Sequence, residues 1–146
     1  LDYVGAGLHK RSPYPESNTR QQNTLAMVNA IKNNRIHTIV HPYRPEFPID
    51  IAEVMETAKS YGVFMELNLS LFKRPDFDSN FKDEIQKMID LCKKNDQKFI
   101  IGTDSHIMTD IGDDIELEKY NFKIPNDLIF CENGDLEEIE LLLQKK

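Results

Sequence analysis

Short apolar runs alternate with amphipathic stretches along this chain, and that alternation limits the fold more than any other feature. Five runs read as strands: Tyr3–Ala6, Ile36–Val40, Val63–Leu67, Phe99–Ile101 and Leu128–Cys131. They are rich in Val, Ile and Phe and barely alternate with polar residues, as strands covered on both faces do. Between them the apolar spacing becomes helical. Ile51, Val54, Met55 and Ala58 fall at i, i+3, i+4 and i+7, and Phe81, Ile85, Met88, Ile89 and Cys92 make a longer stripe. Leu136, Ile139, Leu142 and Leu143 make a shorter one. A helix over about Thr19–Lys32 rests on Leu25, Val28 and Ile31, and a weaker one is expected over about Thr109–Tyr120. Asp50 with Glu53, and Asp135 with Glu138, have the spacing of a capping box, and Gly62 stands where a C-terminal glycine would end the second helix.

Strand–helix alternation predicts an α/β protein of parallel βα units. At 146 residues, with 40% hydrophobic and 29% charged residues, the chain reads as a single globular domain over 1–146. No apolar run reaches the roughly 18 residues that span a bilayer, and Leu1-Asp2-Tyr3-Val4 has no basic signal-peptide region, so no membrane partner is expected. Cys92 and Cys131 fit no CxxC pattern and read as reduced thiols in a cytoplasmic protein. Eighteen Lys and Arg against 25 Asp and Glu give a net charge of −7, a poor basis for nucleic-acid binding but no obstacle to a small phosphorylated substrate.

In parallel βα folds the chemistry sits at the C-terminal ends of the strands. The first run is followed by Gly7-Leu8-His9, the second by His41-Pro42-Tyr43-Arg44-Pro45, the third by Asn68-Leu69-Ser70 and the fourth by Gly102-Thr103-Asp104-Ser105-His106. His9, His41, Asp104 and His106 are therefore candidate metal ligands on one face, a nitrogen and carboxylate set suited to Zn²⁺, Mn²⁺ or Fe. Asp104 and His106 are two apart and would share a side on a straight strand. Taken singly, each residue has a plainer explanation: a surface or capping histidine, and an aspartate capping the next helix. His37 lies inside its run and reads as structural. Lys10, Arg11, Arg20 and Arg44 flank these positions, where they could meet phosphate oxygens or simply form a solvated basic loop. Asn68 and Ser105 could orient substrate or a bound water. Lys73-Arg74-Pro75-Asp76 reads as a surface loop without assigned chemistry.

The segments Asp2-Tyr3-Val4 to His9, Asn18-Thr19-Arg20, His41-Pro42 with Pro45 to Asp50, Glu66-Leu67-Asn68, and Gly102 to His106 occur in this order. In that order and spacing the chain resembles the C-terminal part of a PHP domain (polymerase and histidinol phosphatase family), of the small bacterial phosphohydrolase type. The resemblance implies a distorted (β/α)7 barrel with up to three divalent metal ions at the strand ends. It implies that His9 and His41 hold one ion together with a bridging Glu, that Asp104 completes a second site, and that His106 contributes to a third. By the same resemblance Asp104 and His106 carry the catalytic role, while Arg20, Arg44, Asn68 and Ser105 are the candidate substrate contacts from their places beside the strand ends. Metal-bound hydroxide, formed at a pKa of about 7, would then attack the phosphorus of a small phosphomonoester or nucleotide phosphate.

The family's opening His-x-His-Thr strand, its Ser-Asp-His segment and its bridging Glu find no counterpart in this sequence. A chain starting at Leu1 is thus expected to be a fragment with an incomplete metal site, supplemented by a missing N-terminal segment or by self-association. Other readings remain open at this level: an exonuclease-like role beside a polymerase, a non-catalytic scaffold of the same fold, or an amidohydrolase-like metal hydrolase. The last typically uses a bridging Lys, and no Lys directly ends an apolar run.

Overall fold

A computed structural model of the protein describes residues 3–10, 12–33, 35–74, 79–104, 124 and 126–129. Four parallel strands, β1 (Gly5–Ala6), β2 (Thr38–Ile39), β3 (Phe64–Asn68) and β4 (Phe99–Gly102), pair in the order β1-β2-β3-β4. Helices α1 (Arg20–Asn33), α2 (Ile51–Tyr61) and α3 (Ser79–Asn95) connect successive strands. The fold is therefore α/β with parallel βα units, as the alternation predicts. The strand order runs without reversal, as it does in barrels and not in doubly wound sheets. A parallel bridge from Phe99 to Ile129 carries pairing past β4.

Register explains how each face is used. Ile39 pairs with Met65, Met65 with Phe99, and Leu67 with Ile101, so these side chains share one face of the sheet. Glu66 pairs with Ile100 and Asn68 with Gly102, which puts the polar residues of β3 on the opposite face.

The helices form where the spacing places them. Ile51, Val54, Met55 and Ala58 are completely buried along α2. The Asp50 carboxylate accepts from the backbone N–H groups of Ala52 (3.0 Å) and Glu53 (3.3 Å), satisfying donors that the first turn leaves open. Gly62 ends α2 at φ +65°, and its N–H caps the last carbonyls. Along α3, Phe81, Ile85, Met88, Ile89 and Cys92 are buried, and a large apolar side chain buried in this way contributes about 1.5–3 kcal/mol. In α1 the buried residues are Asn23, Thr24, Met27, Val28 and Ile31, whereas Leu25 is 56% exposed. Val28 and Ile31 are buried as the spacing expects, but Leu25 is not; Thr24 lies inside instead, its hydroxyl donating to the Arg20 carbonyl and accepting from the Asp50 N–H.

β1 and β2 are shorter than the apolar runs they come from, whereas β3 and β4 are not. Ile36–Val40 narrows to Thr38–Ile39, although His37 N–H still bonds to the Val4 carbonyl. Leu128 lies in a 3-10 turn over Asn126–Leu128 and not in a strand. Cys131, the stretch Thr109–Tyr120 and the stripe from Leu136 to Leu143 lie outside the described residues. Among the described residues, no helix is long and apolar enough to cross a membrane.

Candidate functional site

The strand ends of this sheet carry a buried polar network, and Glu66 is its centre. Glu66 sits in the middle of β3, only 9% exposed. One of its carboxylate oxygens, Oε2, accepts from the His41 backbone N–H at 2.7 Å and from Asn68 Nδ2 at 3.2 Å. Burial pushes its carboxyl up from the usual range, and those two donors pull it back only in part. Tyr43 braces the same strand: its hydroxyl donates to the Glu66 carbonyl (3.4 Å) and accepts from the Asn68 N–H (2.8 Å).

Gly102 makes this arrangement possible. A Cβ there would lie 1.9 Å from Glu66 Oε1, so only glycine lets the carboxylate lie flat against β4.

His41 lies just beyond β2 with φ +34°, and Asp104 just beyond β4 with φ +49°. Left-handed φ is uncommon for residues other than glycine, and it recurs where a site dictates the backbone. Asp96, at φ +50°, shows the same conformation in the turn after α3. The His41 ring is buried, and neither Nδ1 nor Nε2 has a hydrogen-bond partner among the described residues. An imidazole in that state is costly unless something else uses its lone pair. Its conjugate acid is disfavoured first by burial, then by Arg44 and His9, and the pKa falls to about 4. His41 is thus neutral at pH 7, the form that ligates metals. The His9 ring meets it edge to face, with centroids 4.5 Å apart.

The remaining candidates from the sequence occupy several places around this centre. Asp104 Oδ2 lies 3.4 Å from an Arg44 guanidinium nitrogen, so the ends of β2 and β4 meet through that pair. Asn68 is 1% exposed; its side-chain oxygen accepts from the N–H (3.0 Å) and hydroxyl (2.6 Å) of Ser70, and its amide faces Glu66. Arg20 stands at the start of α1, donating to the Ile49 carbonyl at 2.8 Å and lying 3.7 Å from Glu84. Ser105, His106 and Arg11 lie outside the described residues. His37 accepts the Val4 N–H at 3.0 Å on Nδ1, stacks on Tyr3 and is a packing residue.

Sequence reasoning assigns no role to Glu66 or Glu46. Glu66 carries a signal, since a lone acid inside a buried apolar run is expensive without a purpose. Glu46 carries none. Its Oε1 is bonded by Arg74 at 2.9 Å and Lys10 at 3.0 Å, residues far away in sequence. It therefore ties the loop after β1, the loop after β2 and the turn after β3 together. Arg74, expected in a surface loop, is half-buried here, with its guanidinium 5.6 Å from the Phe81 ring centroid. Burial alone would raise the Glu46 carboxyl, but the bonds from Arg74 and Lys10 outweigh it and hold the pKa at about 2.

The donor chemistry suits a metal in part. Two close imidazoles, one with both nitrogens unpartnered among the described residues, and nearby carboxylates match a nitrogen and oxygen ligand set. No group of three or more His, Cys, Asp or Glu among the described residues is arranged to hold an ion. A zinc site usually takes at least three protein ligands, so further donors would have to join these.

No family model matches the chain. It is similar to proteins named as probable phosphatases. One from Thermoanaerobacter sp. is 36% identical over 151 aligned positions, covering all of this chain and 58% of that protein. One from Caldanaerobacter subterraneus is 34% identical over 149 positions, covering all of the chain and 56% of the relative. One from Acetivibrio thermocellus is 36% identical over 113 positions, covering 77% of the chain and 44% of the relative. The chain spans about half the length of the curated relatives it matches.

Two outcomes are expected from this geometry. Gly102→Ala should dislodge the Glu66 carboxylate and lower the unfolding free energy by about 1–3 kcal/mol, the usual cost of overpacking. Urea denaturation reads this directly, and unchanged stability would contradict the close approach. Glu46 has a folded pKa below its unfolded value, so its stabilisation is present above about pH 4.5 and lost as pH falls toward about 2. Glu46→Gln should therefore lower the melting temperature at pH 7, and the gap to the wild type should close across that window. A gap that persists at pH 2 would show that the ion pairs are not its source.

Proposed function

We propose that this protein is a metal-dependent phosphoesterase that hydrolyses a small phosphomonoester or nucleotide phosphate. The observation that carries the reading is His41: a buried imidazole whose two nitrogens have no partner among the described residues, held by its own backbone N–H on Glu66 and flanked by His9. Similarity to proteins named as probable phosphatases supports the reaction class.

His9, His41 and Asp104 would hold divalent ions (Zn²⁺, Mn²⁺ or Fe), with Glu66 close by and His106 as a further donor. Such ions, when bound, supply Lewis acidity to water and offset the charge of the phosphoryl group. The chain's own residues do the rest. His41 needs no deprotonation to ligate at neutral pH, since its pKa is about 4. Glu66 fixes the His41 backbone and so aims the ring. Arg44 stands 3.4 Å from Asp104, a loose pair, and its planar fork suits two phosphate oxygens at once. Its charge would hold the substrate's phosphate beside the ligands.

Phosphatase activity toward small phosphomonoesters should disappear on chelation and return with Mn²⁺, Zn²⁺ or Fe²⁺. His41→Ala and Asp104→Asn should each lower kcat/KM by about 100-fold or more, the scale seen for loss of metal-site residues. Activity that survives complete chelation, or a His41→Ala enzyme with wild-type kcat/KM, would overturn the reading.

A further inference from the structure

Three helices begin on the side of the sheet where the strands end, and a cavity of about 280 Å³ opens among their starts. Arg20 is the first residue of α1, Ile49 precedes the Asp50 cap of α2, and Phe81 lies in the first turn of α3. Tyr43, Ile49 and Phe81 give the cavity its apolar walls, while Arg20, Arg44 and Glu84 bring charge to its lining.

Arg44 belongs to both places. Its Nη2 faces Asp104, while the residue also lines the cavity, with Nε buried and without a hydrogen-bond partner among the described residues. A substrate whose phosphate met Arg44 beside Asp104 would have its remainder directed to this cavity. We propose that the cavity is the subsite for the alcohol part of the substrate, and that it selects phosphomonoesters whose alcohol carries an aromatic ring. The inference rests on the phosphoesterase reading and adds the substrate class to it.

Size and polarity favour that occupant together. The volume corresponds to about nine water molecules at roughly 30 Å³ each, room for a single ring and its linker. The lining is mostly apolar, so a polyol would find partners for only some of its hydroxyls and lose water from the rest. Each guanidinium already faces a carboxylate, Arg20 beside Glu84 and Arg44 beside Asp104, and the flat face of an arginine attracts an aromatic ring.

Benzyl phosphate and ethyl phosphate separate the idea from its alternatives, since both have alkoxide leaving groups and differ in the ring. Each ester is titrated into the metal-loaded protein while the backbone amide resonances of Ile49 and Phe81 are followed. kcat/KM is measured for both in parallel. Benzyl phosphate should shift both amides while ethyl phosphate leaves them in place, and its kcat/KM should be about tenfold higher, equivalent to roughly 1.4 kcal/mol. Asn80 is exposed and lines the cavity, so Asn80→Trp should fill it without removing core, and should bring the two esters to within about threefold. Equal kcat/KM for the two esters, or a preference that Asn80→Trp leaves intact, would overturn the proposal while leaving the phosphoesterase reading standing. If neither ester is hydrolysed, the phosphoesterase reading fails instead. The amide shifts then decide the cavity alone: benzyl-specific shifts uphold a ring subsite, and their absence overturns it.

Discussion

A carboxylate inside a parallel sheet is tolerated only if donors converge on it, and Glu66 draws them from two strand ends. The His41 N–H and the Asn68 amide both point at one oxygen, while Gly102 clears the neighbouring strand on the other side. The consequence reaches beyond Glu66 itself. Fixing the His41 backbone at a left-handed φ turns its ring into buried space beside His9 and leaves both ring nitrogens unpartnered among the described residues. Structural strain and an unsatisfied buried group thus occur at one residue, and a ligand for that imidazole would account for both.

The loops above the sheet are held by charge where the strands below are held by packing. Glu46 gathers Lys10 and Arg74, and Arg44 reaches Asp104, so the exits of all four strands are cross-linked by ion pairs at the face that carries the site. The Arg74–Glu46 and Arg44–Asp104 pairs are partly shielded from solvent, which makes them worth more than the pair of the exposed Lys10 with Glu46. Below them, the fully buried stripe of α2 and the long stripe of α3 join the apolar face of the sheet in one core. The apolar layer fixes where the strands end, and the charged layer fixes how the residues after them are presented.

Much of this is legible in the sequence because local periodicity writes it there. The stripes of α2 and α3, the Asp50 cap and the Gly62 stop depend on residues within one or two turns of each other, and they read correctly. Val28 and Ile31 of α1 also read correctly, but Leu25 does not, since Thr24 is buried through hydrogen bonds that a hydropathy pattern does not contain. His9, His41 and Asp104 can be found from the polar residues that end each apolar run, because parallel topology sends all strand ends to one face. Glu46 with Arg74, and Tyr43 with Asn68, cannot: these partners are 28 and 25 residues apart, and nothing local marks them. Glu66 lies between, visible as an acid in an apolar run but easily misread because its neighbours pass for an ordinary buried strand.

The state of the His41 imidazole tests the account at its root, and nitrogen-15 NMR of the histidine ring nitrogens observes it directly. In the metal-free protein, His41 should titrate near pH 4 and show a neutral ring at pH 7. Stoichiometric Zn²⁺ should then shift one ring nitrogen of His41 and one of His9 together, while His37, bonded to the Val4 N–H, stays unchanged. A His41 ring that is protonated at pH 7, or one that ignores Zn²⁺ while the protein binds it elsewhere, would contradict the metal site proposed for these strand ends.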